Sequence, residues 1–439
     1  MRSTAFLKLN PFINKRLLLL ILWYQLGHYG TNGQSLGRVG NPNDITTECS
    51  AGTVLMGGGS DVDAAFTWMI NKSGGGDFVV IRATGTNAYN NYIYGLGPAN
   101  SVETFLINSV NLANDSTVVR AIRKAEALFF AGGDQNDYIS YYKGTALGTA
   151  INYVANIKHA PIGGTSAGMA IQGYIYYDGV TNVLSPEALL NPYASGTGIH
   201  YNDFLHNPFL KNTICDTHFS TKGGTTNNGI TGRQGRLMTF LARMITDSSL
   251  SDVKGIACDE KTAVCIDENG IAMVVGLNNA YFLRQWCAAP ETCTPGFPLN
   301  WTNGAKVYII NGPGSYTAAP NINKSLNLND WVTGQGGVYN YWKVNQGTLL
   351  MAQSGTPSIC NIPILTFRFT GNGNWSTAYN WQNNTLPPVY LTTTADIIID
   401  PVAGGECVLD IYTQTLSNGA KLKVLAGKVF RIIGNLYLQ

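Results

Sequence analysis

The sequence has few charged residues and few histidines for its length. Only 12% of its 439 residues are charged, and five are histidine. Four of the 28 lysines and arginines lie in the first 16 residues, which leaves 24 basic against 26 acidic residues in the rest of the chain. Without a basic surplus or a stripe of lysine and arginine, the chain lacks the electrostatic footprint of a nucleic-acid-binding protein. We therefore expect no nucleic-acid partner.

Long apolar runs are scarce as well. The run 17–24 follows a basic stretch and precedes small and polar residues, and no acidic side chain occurs before Asp44. This pattern predicts a secretory signal peptide over residues 1–34, because the run is too short to cross a bilayer comfortably. A single membrane anchor is the alternative. We expect a secreted or cell-surface protein with no stable membrane span once the leader is removed.

Motifs for metal ions and nucleotides are missing. The eight cysteines lack the clustered Cys/His spacing of a zinc site. The loop 57–61 contains three glycines but neither a G-x-G-x-x-G pattern nor Gly-Lys-Ser/Thr, so we interpret it as a tight strand-to-helix turn rather than a phosphate cradle. We expect no metal and no organic cofactor. In an oxidising compartment some cysteines are expected to pair, and Cys287 with Cys293 is the best local candidate.

The alternation of short apolar runs with helical patterns predicts an α/β fold. Strand candidates lie at 54–56, 78–81 and 127–130, and helix candidates lie at 61–71 and 116–125. This order is typical of βαβ units, so we expect a mostly parallel central sheet flanked by helices, with ligands at one edge of the sheet.

The character of the sequence changes after residue 362. Helical periodicity disappears, and short apolar strands alternate with Gly, Asn and Pro turns. We expect a main domain over residues 45–362 and a small all-β module over 363–439, which ends in strand-like residues and so leaves truncation open. Trp375 and Trp381 of this module are expected to pack in its core rather than to form a sugar-stacking platform.

The strongest local signal for chemistry is Gly164-Thr165-Ser166-Ala167-Gly168, between a strand end and a helix start. It predicts a nucleophile elbow, in which a strained turn exposes the hydroxyl of Ser166 and the N–H of Ala167 faces the developing oxyanion. A serine that caps a helix beside a tight turn is the alternative.

A serine nucleophile needs a base, and few histidines are available. His218 lies beside Asp216 at the end of an apolar strand, where α/β enzymes gather their functional groups, so we favour it. His159 precedes the nucleophile strand at its opposite end. His200 and His206 lie in an Asn/Pro-rich segment that is typical of surface loops. All three stay open as alternatives.

Five short motifs occur in a characteristic order: 131–135 (AGGDQ), 164–168 (GTSAG), 216–219 (DTHF), 232–237 (GRQGRL) and 255–263 (GIACDEKTA). In type and order they resemble those of cyanophycinases, a family that is related to aspartyl dipeptidases and shares their class I glutamine-amidotransferase-like fold. The resemblance covers roughly residues 50–350.

The resemblance implies a catalytic triad. Ser166 is implied as the nucleophile, His218 as the general base and Glu260 as the carboxylate that orients the base. Glu187 is an alternative for the third position. The chain order Ser, His, Glu differs from that of α/β-hydrolases, so the shared elbow is better explained by convergence than by that fold.

The resemblance also implies binding groups around the triad. A backbone N–H of Gly132 or Gly133 would join Ala167 in the oxyanion hole. Four side chains match substrate-binding positions of the family: Gln135, Asp216, Arg233 and Arg236. Arginines suit a substrate with free carboxylates, because guanidinium groups bind carboxylates bidentately. A solvated helix face is the alternative interpretation of the two arginines.

The implied activity is hydrolysis of cyanophycin, a polymer of aspartate whose β-carboxyls carry arginine, or of related β-aspartyl peptides. Thr217 stands where the family usually has glutamine, and residues 223–229 form an insertion beside the expected site. Because such loops set specificity, a peptidase for other acidic peptides is one alternative. A surface-binding protein with an inactive catalytic domain is another. The oligomeric state stays open, with a homodimer as one option.

Overall fold

The computed structural model describes residues 34–248, 250, 252–352, 365–391, 395–416 and 420–438. The chain divides into two units, Met1–Gly355 and Thr356–Gln439. Residues 1–33 of the predicted signal peptide lie outside the described residues, as does the predicted domain boundary between residues 362 and 363.

The described part of the first unit contains eighteen strands. They are β1 (Gln34–Gly40), β2 (Gly52–Met56), β3 (Asp77–Arg82), β4 (Ser101–Leu106), β5 (Ala127–Phe130), β6 (Ile162–Thr165), β7 (Ile175–Tyr177), β8 (Ile199–Tyr201), β9 (Thr213–Asp216), β10 (Lys254–Cys258), β11 (Thr262–Asp267), β12 (Ile271–Gly276), β13 (Asn279–Gln285), β14 (Trp301–Asn311), β15 (Ser325–Asn327), β16 (Gly334–Gln335), β17 (Val338–Asn345) and β18 (Thr348–Ala352).

These strands form two large sheets. Sheet I has the order β1-β4-β3-β5-β6-β2-β11-β12-β15-β16, and sheet II has the order β18-β17-β14-β13-β10-β9-β7-β8. Sheet I is parallel from β4 to β2 and antiparallel on both sides of that stretch. In sheet II only the pairs of β9 with β10 and with β7 are parallel.

The α/β class is confirmed, but the expectation of one mostly parallel central sheet is wrong, because two mixed sheets are present. The difference arises after β10, where the strands follow one another without helices. Short turns join β11 to β12 and β12 to β13. The connection between β11 and β12 is too short for a parallel crossover, so these two strands pair antiparallel. The turn between β12 and β13 carries the chain from sheet I to sheet II.

Nine helices lie in the described residues of the first unit: α1 (Asp63–Lys72), α2 (Ala88–Tyr94), α3 (Val110–Ala113), α4 (Ser116–Lys124), α5 (Gln135–Tyr142), α6 (Ala146–Asn156), α7 (Ala167–Ala170), α8 (Ser185–Leu190) and α9 (Gln234–Ser248). Local sequence explains where several of them begin. The carboxylate of Asp115 accepts hydrogen bonds from the N–H groups of Thr117 and Val118 at the start of α4. Asp134 and Thr145 cap α5 and α6 in the same manner.

The centre of sheet I brings three loops to one edge. Strands β2, β5 and β6 are buried along their whole length, which is typical of parallel strands covered on both faces. Met56 pairs with Thr165, and Phe130 pairs with Gly164, so the three strands end in register. The residues that follow these strands therefore lie together at the carboxyl edge of the sheet.

The cysteines differ from the sequence expectation. Cys287 is disulfide-bonded, whereas Cys293 is a free thiol buried in the core against sheet II, so the predicted pairing of these two residues is wrong. No group of His, Cys, Asp and Glu within the described ranges is arranged to hold a metal ion. Across the same ranges, we find no helix with the length and apolar character needed to cross a membrane.

The second unit is a short β-solenoid. Its strands are β19 (Leu365–Phe369), β20 (Gly373–Asn374), β21 (Tyr390–Leu391), β22 (Ala395–Ile399), β23 (Glu406–Leu409), β24 (Thr413–Leu416), β25 (Lys421–Val424), β26 (Val429–Ile432) and β27 (Asn435–Leu438). They form three parallel sheets, β19-β22-β25, β20-β23-β26 and β21-β24-β27. Each sheet takes one strand from each of three stacked turns of chain. We call these turns rung 1 (365–391), rung 2 (395–416) and rung 3 (420–438).

Two tryptophans fill the interior of the solenoid. Trp375 and Trp381 are almost completely buried, and their rings meet edge to face with centroids 4.7 Å apart. The indole N–H of Trp381 donates to the carbonyl of Trp375 at 2.7 Å. The expectation that these rings pack in the core is confirmed, and both are too buried to serve as a sugar-stacking platform.

We expect Trp381→Ala to lower the free energy of unfolding of the second unit by about 3 kcal/mol or more, because it removes a buried ring and leaves a cavity. Denaturant titration followed by circular dichroism measures the change. Tyr379→Ala is the matched control: its ring lies two residues away and is 78% exposed, so the expected change is within about 0.5 kcal/mol. Equal effects of the two substitutions would contradict this account of the core.

Candidate active site

Three polar side chains from different strands meet in one hydrogen-bonded chain. Ser166 Oγ lies 2.8 Å from Nε2 of His218, and Nδ1 of His218 lies 2.6 Å from Oε1 of Glu260. A neutral imidazole that donates from Nδ1 to the carboxylate leaves Nε2 as an acceptor for the serine hydroxyl. The structure thus brings together the three residues that the sequence resemblance implied as catalytic.

Ser166 occupies a strained turn at the end of β6. Its φ of 52° and ψ of −116° lie outside the regions that residues other than glycine ordinarily adopt. The backbone N–H of Ser166 donates to the carbonyl of Met56 at 3.0 Å, which ties the turn to strand β2. A Cβ at Gly164 would lie 2.3 Å from the carbonyl oxygen of Gly168, so the turn closes this tightly only with glycine there.

The three residues come from both sheets. Ser166 follows β6 of sheet I, whereas His218 and Glu260 follow β9 and β10, which are parallel neighbours in sheet II. The backbone N–H of His218 donates to the carbonyl of Gly57 at 2.8 Å, directly after β2 of sheet I. The candidate site therefore lies where the carboxyl ends of strands from the two sheets meet.

The glycine loop between β2 and α1 packs against His218 and Ser166, in addition to joining a strand to a helix. Gly58 has a φ of 95°, and its carbonyl accepts a hydrogen bond from the N–H of Lys261 at 2.9 Å. A Cβ at Gly58 would lie 2.5 Å from Cε1 of His218 and 3.1 Å from Cβ of Ser166. This contact is not predictable from the sequence, in which the run of three glycines is the only signal for it.

The predicted oxyanion-hole residues lie on two sides of Ser166. Ala167 is buried and begins helix α7, so its N–H has no acceptor within the helix. A Cβ at Gly132 would lie 3.6 Å from Cβ of Ser166, whereas the nearest atom to a Cβ at Gly133 is Oγ1 of Thr84, at 3.8 Å. Of the two glycines left open by the sequence, Gly132 is thus nearer to the serine.

Asp216 and Arg236 form a buried ion pair. Nε and Nη2 of Arg236 donate to the two carboxylate oxygens of Asp216 at 2.9 and 2.6 Å. The side chains are only 3% and 4% exposed. Because each charge is already paired and almost inaccessible, the pair favours a structural role over the substrate contact that the sequence resemblance implied.

Arg233 and Gln135 are more accessible than this pair. Nη1 of Arg233 donates to the carbonyl and the hydroxyl of Thr217 at 2.7 and 3.0 Å and to Oδ1 of Asp216 at 3.5 Å, and the Arg233 side chain is 15% exposed. Its Nε has no hydrogen-bond partner within the described residues. Burial lowers the pKa of Arg233 to about 10. Gln135 is half-buried, and its amide donates to the carbonyl of Tyr177 at 3.0 Å.

The surroundings of His218 favour a neutral imidazole. Burial lowers the pKa of His218, and the nearby cations Lys222 and Arg233 lower it further, whereas the hydrogen bond with Glu260 acts in the opposite direction. The same hydrogen bond lowers the pKa of Glu260, which keeps that carboxyl ionised. Lys222, an exposed residue, thus acts on the candidate base.

The alternative candidates from the sequence are His159, His200, His206 and Glu187. Nε2 of His200 lies 3.1 Å from Oδ2 of Asp178, and Nε2 of His206 lies 3.3 Å from the carbonyl of Asn202. Glu187 accepts a hydrogen bond from the N–H of Leu184 at the start of α8. His159 precedes β6, at the end of the strand opposite to Ser166. The hydrogen bonds given for His200, His206 and Glu187 thus involve neither Ser166 nor His218.

Comparison with known proteins finds a partial similarity to a cyanophycinase. No protein-family model matches the chain. Over 186 residues it is 26% identical to a cyanophycinase from Geminocystis herdmanii, an alignment that covers 42% of this chain and 55% of that protein. The chain thus spans about half the length of this relative. A crystal structure of a peptidase from an acI-B1 Actinobacterium is 15% identical and covers 53% of this chain and 91% of its own, but its TM-score of 0.35 is too low to support an inference.

We expect Gly58→Ala to lower the rate at which a fluorophosphonate modifies Ser166 by about 100-fold, because displacement of an imidazole by about 1 Å has effects of that size. Mass spectrometry of the labelled peptide measures the rate. Gly144→Ala is the control, since Gly144 has a similar left-handed φ of 73° but no atom within 4 Å of the added Cβ. Equal rates in the two variants would show that the loop does not position His218.

Proposed function

We propose that the chain is a serine-type peptidase in which Ser166 is the nucleophile. The observation that carries this proposal is the pair of hydrogen bonds from Ser166 to His218 and from His218 to Glu260, at 2.8 and 2.6 Å. A base within hydrogen-bond reach of the hydroxyl, itself oriented by a third group, is the arrangement that activates serine. The partial similarity to a cyanophycinase supports the same reaction class.

The mechanism follows from these three groups. His218 takes the hydroxyl proton as Ser166 Oγ attacks the scissile carbonyl carbon, and Glu260 stabilises the imidazolium that forms. The tetrahedral intermediate collapses to an acyl-enzyme when the C–N bond breaks and His218 gives the proton to the leaving amine. Water then attacks the ester carbonyl, His218 accepts a proton from the water and returns one to Oγ, and the carboxylic acid product leaves.

The oxyanion of each tetrahedral intermediate needs hydrogen-bond donors. We assign this role to the N–H of Ala167 and to a backbone N–H of the Gly132–Gly133 segment. The strained backbone of Ser166 supports this assignment, because the turn directs the side chain away from the strand while the next N–H begins a helix. Neither donor requires a side chain, so substitutions at Ala167 are expected to act through packing alone.

The charges near the base support an acidic substrate. Lys222 and Arg233 are close enough to lower the pKa of His218, and Lys222 is exposed. A substrate with free carboxylates fits these cations, and cyanophycin or related β-aspartyl peptides meet that requirement. The pairing of Arg236 with Asp216 supports the alternative of a different acidic peptide, because it engages two of the groups expected to contact cyanophycin.

We also propose that the protein acts outside the cytoplasm, at the cell surface or as a secreted protein. The basic and apolar pattern of the first 34 residues supports this location. The disulfide at Cys287 supports it as well, because disulfides persist in oxidising compartments. Nothing in this proposal depends on the oligomeric state, for which a homodimer stays one option.

Purified protein is expected to release β-aspartyl-arginine from cyanophycin, and Ser166→Ala is expected to lower kcat by roughly 10⁴-fold or more, because it removes the nucleophile. Chromatographic assay of the released dipeptide measures the rate. Ser140→Ala, on the exposed face of α5, is the control and should leave the rate unchanged. Hydrolysis that persists in Ser166→Ala would remove this serine from the mechanism.

A substrate panel separates the hypotheses. Cleavage of acidic peptides without cleavage of cyanophycin would favour the peptidase of different specificity. Absence of both cleavage and fluorophosphonate labelling at Ser166 would favour an inactive, surface-binding protein.

The acid limb of the pH profile is expected below the ordinary histidine value of about 6.5, because the pKa of His218 is lowered and activity is lost only as pH falls through it. Lys222→Gln is expected to move this limb to higher pH, since it removes a cation that lowers that pKa. The pH dependence of fluorophosphonate labelling measures the shift without a substrate. Lys211→Gln, another exposed lysine, is the control; an equal shift in both variants would contradict the assignment.

A further inference from the structure

Three backbone positions of the candidate site have left-handed conformations. Ser166, His218 and Lys261 have φ values of 52°, 48° and 62°, and the last of them directly follows the candidate carboxylate. A residue with a Cβ is strained in such a conformation, so the surrounding contacts must hold it there. On the N-terminal side of His218 that contact is the hydrogen bond from its N–H to the carbonyl of Gly57. The C-terminal side needs a contact of its own.

A buried carboxylate supplies this second contact. Asp259 directly follows β10 and is 5% exposed. Its Oδ1 accepts a hydrogen bond at 3.0 Å from the N–H of Ser220, two residues after His218. The carbonyl of His218 accepts hydrogen bonds from the N–H groups of Thr221 and Lys222 at 3.3 and 3.1 Å. Asp259 therefore holds the turn of chain that begins at His218.

The other oxygen of Asp259 joins this turn to sheet II. Oδ2 accepts hydrogen bonds from the N–H of Asn279 at 3.3 Å and from the hydroxyl of Tyr281 at 3.4 Å, both in β13. The hydroxyl of Tyr281 also lies 3.1 Å from Oγ of Ser220, and its ring packs against that of Phe219 with centroids 4.9 Å apart. All three donors to the carboxylate are neutral, so it orders the backbone around it rather than balancing a buried cation.

The segment that carries Glu260 is held at the same place. The N–H of Asp259 donates to the carbonyl of Asn279 at 3.0 Å, and the side-chain amide of Asn278 donates to the carbonyl of Glu260 at 2.8 Å. Asp259 thus links the backbone of the His218 turn to that of the Glu260 segment. The side chains of His218 and Glu260 meet at 2.6 Å, a distance that tolerates little relative movement of the two segments.

We propose that Asp259 is a positioning residue of the candidate site, whose carboxylate holds the His218 turn against the Glu260 segment and so keeps Nδ1 of the imidazole in contact with Oε1 of Glu260. None of the hydrogen bonds described above for Asp259 involves Ser166 or the imidazole, so Asp259 acts through the backbone of its neighbours. This inference rests on the proposed function, because the position of His218 affects the reaction only if His218 is the base.

Asp259→Asn in the full chain tests the proposal. The substitution keeps the size of the side chain but replaces one acceptor oxygen with an N–H donor, which then faces another donor. We expect the rate at which a fluorophosphonate modifies Ser166 to fall by roughly 10- to 100-fold, because misplacement of a reacting group by about 1 Å has effects of up to that size. Mass spectrometry of the labelled peptide measures the rate.

Asp77→Asn is the matched control. Asp77 is also 5% exposed, and its Oδ1 likewise accepts hydrogen bonds from neutral groups, the hydroxyl of Ser101 at 2.6 Å and the amide of Asn100 at 2.7 Å. It begins β3, at the end of that strand opposite to the carboxyl edge of sheet I. We expect Asp77→Asn to lower the melting temperature, as Asp259→Asn does, but to leave the labelling rate of Ser166 unchanged.

Proton NMR separates positioning from a general loss of stability. An imidazole Nδ1–H that donates a short hydrogen bond to a carboxylate gives a resonance far downfield, and loss of that resonance in His218→Gln assigns it. We expect Asp259→Asn to move the resonance upfield or to broaden it beyond detection. Asp77→Asn is expected to leave it in place.

Tyr281→Phe provides a second test that does not depend on the folding of Asp259→Asn. It removes a hydroxyl that contacts both Asp259 and Ser220 but keeps the ring. The labelling rate is expected to fall by roughly two- to tenfold, the range that one hydrogen bond contributes.

The outcomes distinguish this inference from the proposed function. Wild-type labelling rates with an unmoved resonance in Asp259→Asn and Tyr281→Phe would overturn the inference, as would equal losses of rate in Asp259→Asn and Asp77→Asn. Failure of the unsubstituted chain to be labelled at Ser166 would instead contradict the proposed function. The proton resonance requires no reaction, so it would still show whether Asp259 positions the imidazole.

Discussion

The candidate site depends on the position of one imidazole. His218 contacts Ser166 through Nε2 and Glu260 through Nδ1, so its ring must satisfy two short hydrogen bonds at once. The ring packs against Gly58, and a single methyl group at that position would overlap it. Ser166, His218 and Glu260 each follow a different strand, namely β6, β9 and β10. The relative placement of the two sheets, rather than any local motif, therefore determines whether the three groups can act together.

The loop after β2 connects this geometry to the fold. Its carbonyls accept hydrogen bonds from the N–H groups of His218 and Lys261, which flank the strand ends of sheet II, while β2 itself is buried in sheet I. The loop thus links the end of β2 in sheet I to the residues that follow β9 and β10 in sheet II, through backbone hydrogen bonds. Because backbone hydrogen bonds allow little variation in distance, this connection restricts the imidazole more closely than side-chain packing alone would.

The charged residues around the candidate site include a buried ion pair with a structural role and an exposed lysine near the candidate base. Asp216 and Arg236 lie in the buried shell next to the site and satisfy each other bidentately. Removal of one member of such a pair leaves an uncompensated buried charge, which is strongly destabilising. Lys222 remains exposed beside His218. In the second unit, ion pairs join neighbouring rungs: Asp400 contacts Arg368 and Lys428, and Glu406 contacts Arg431.

The sequence by itself determined the local features: the glycine-flanked serine at a strand end, the α/β class, the helix at 116–124 and the short strands from residue 365 onward. Each depends on neighbouring residues, through turn conformation, capping or hydrophobic period. The tertiary structure alone decided that two mixed sheets replace one, that Asp216 engages Arg236, that Cys293 is free and that Gly58 contacts His218. These features depend on contacts between residues that are separated along the chain, such as Gly58 and His218. They depend on distances of a few ångström between strands, which local sequence patterns do not encode.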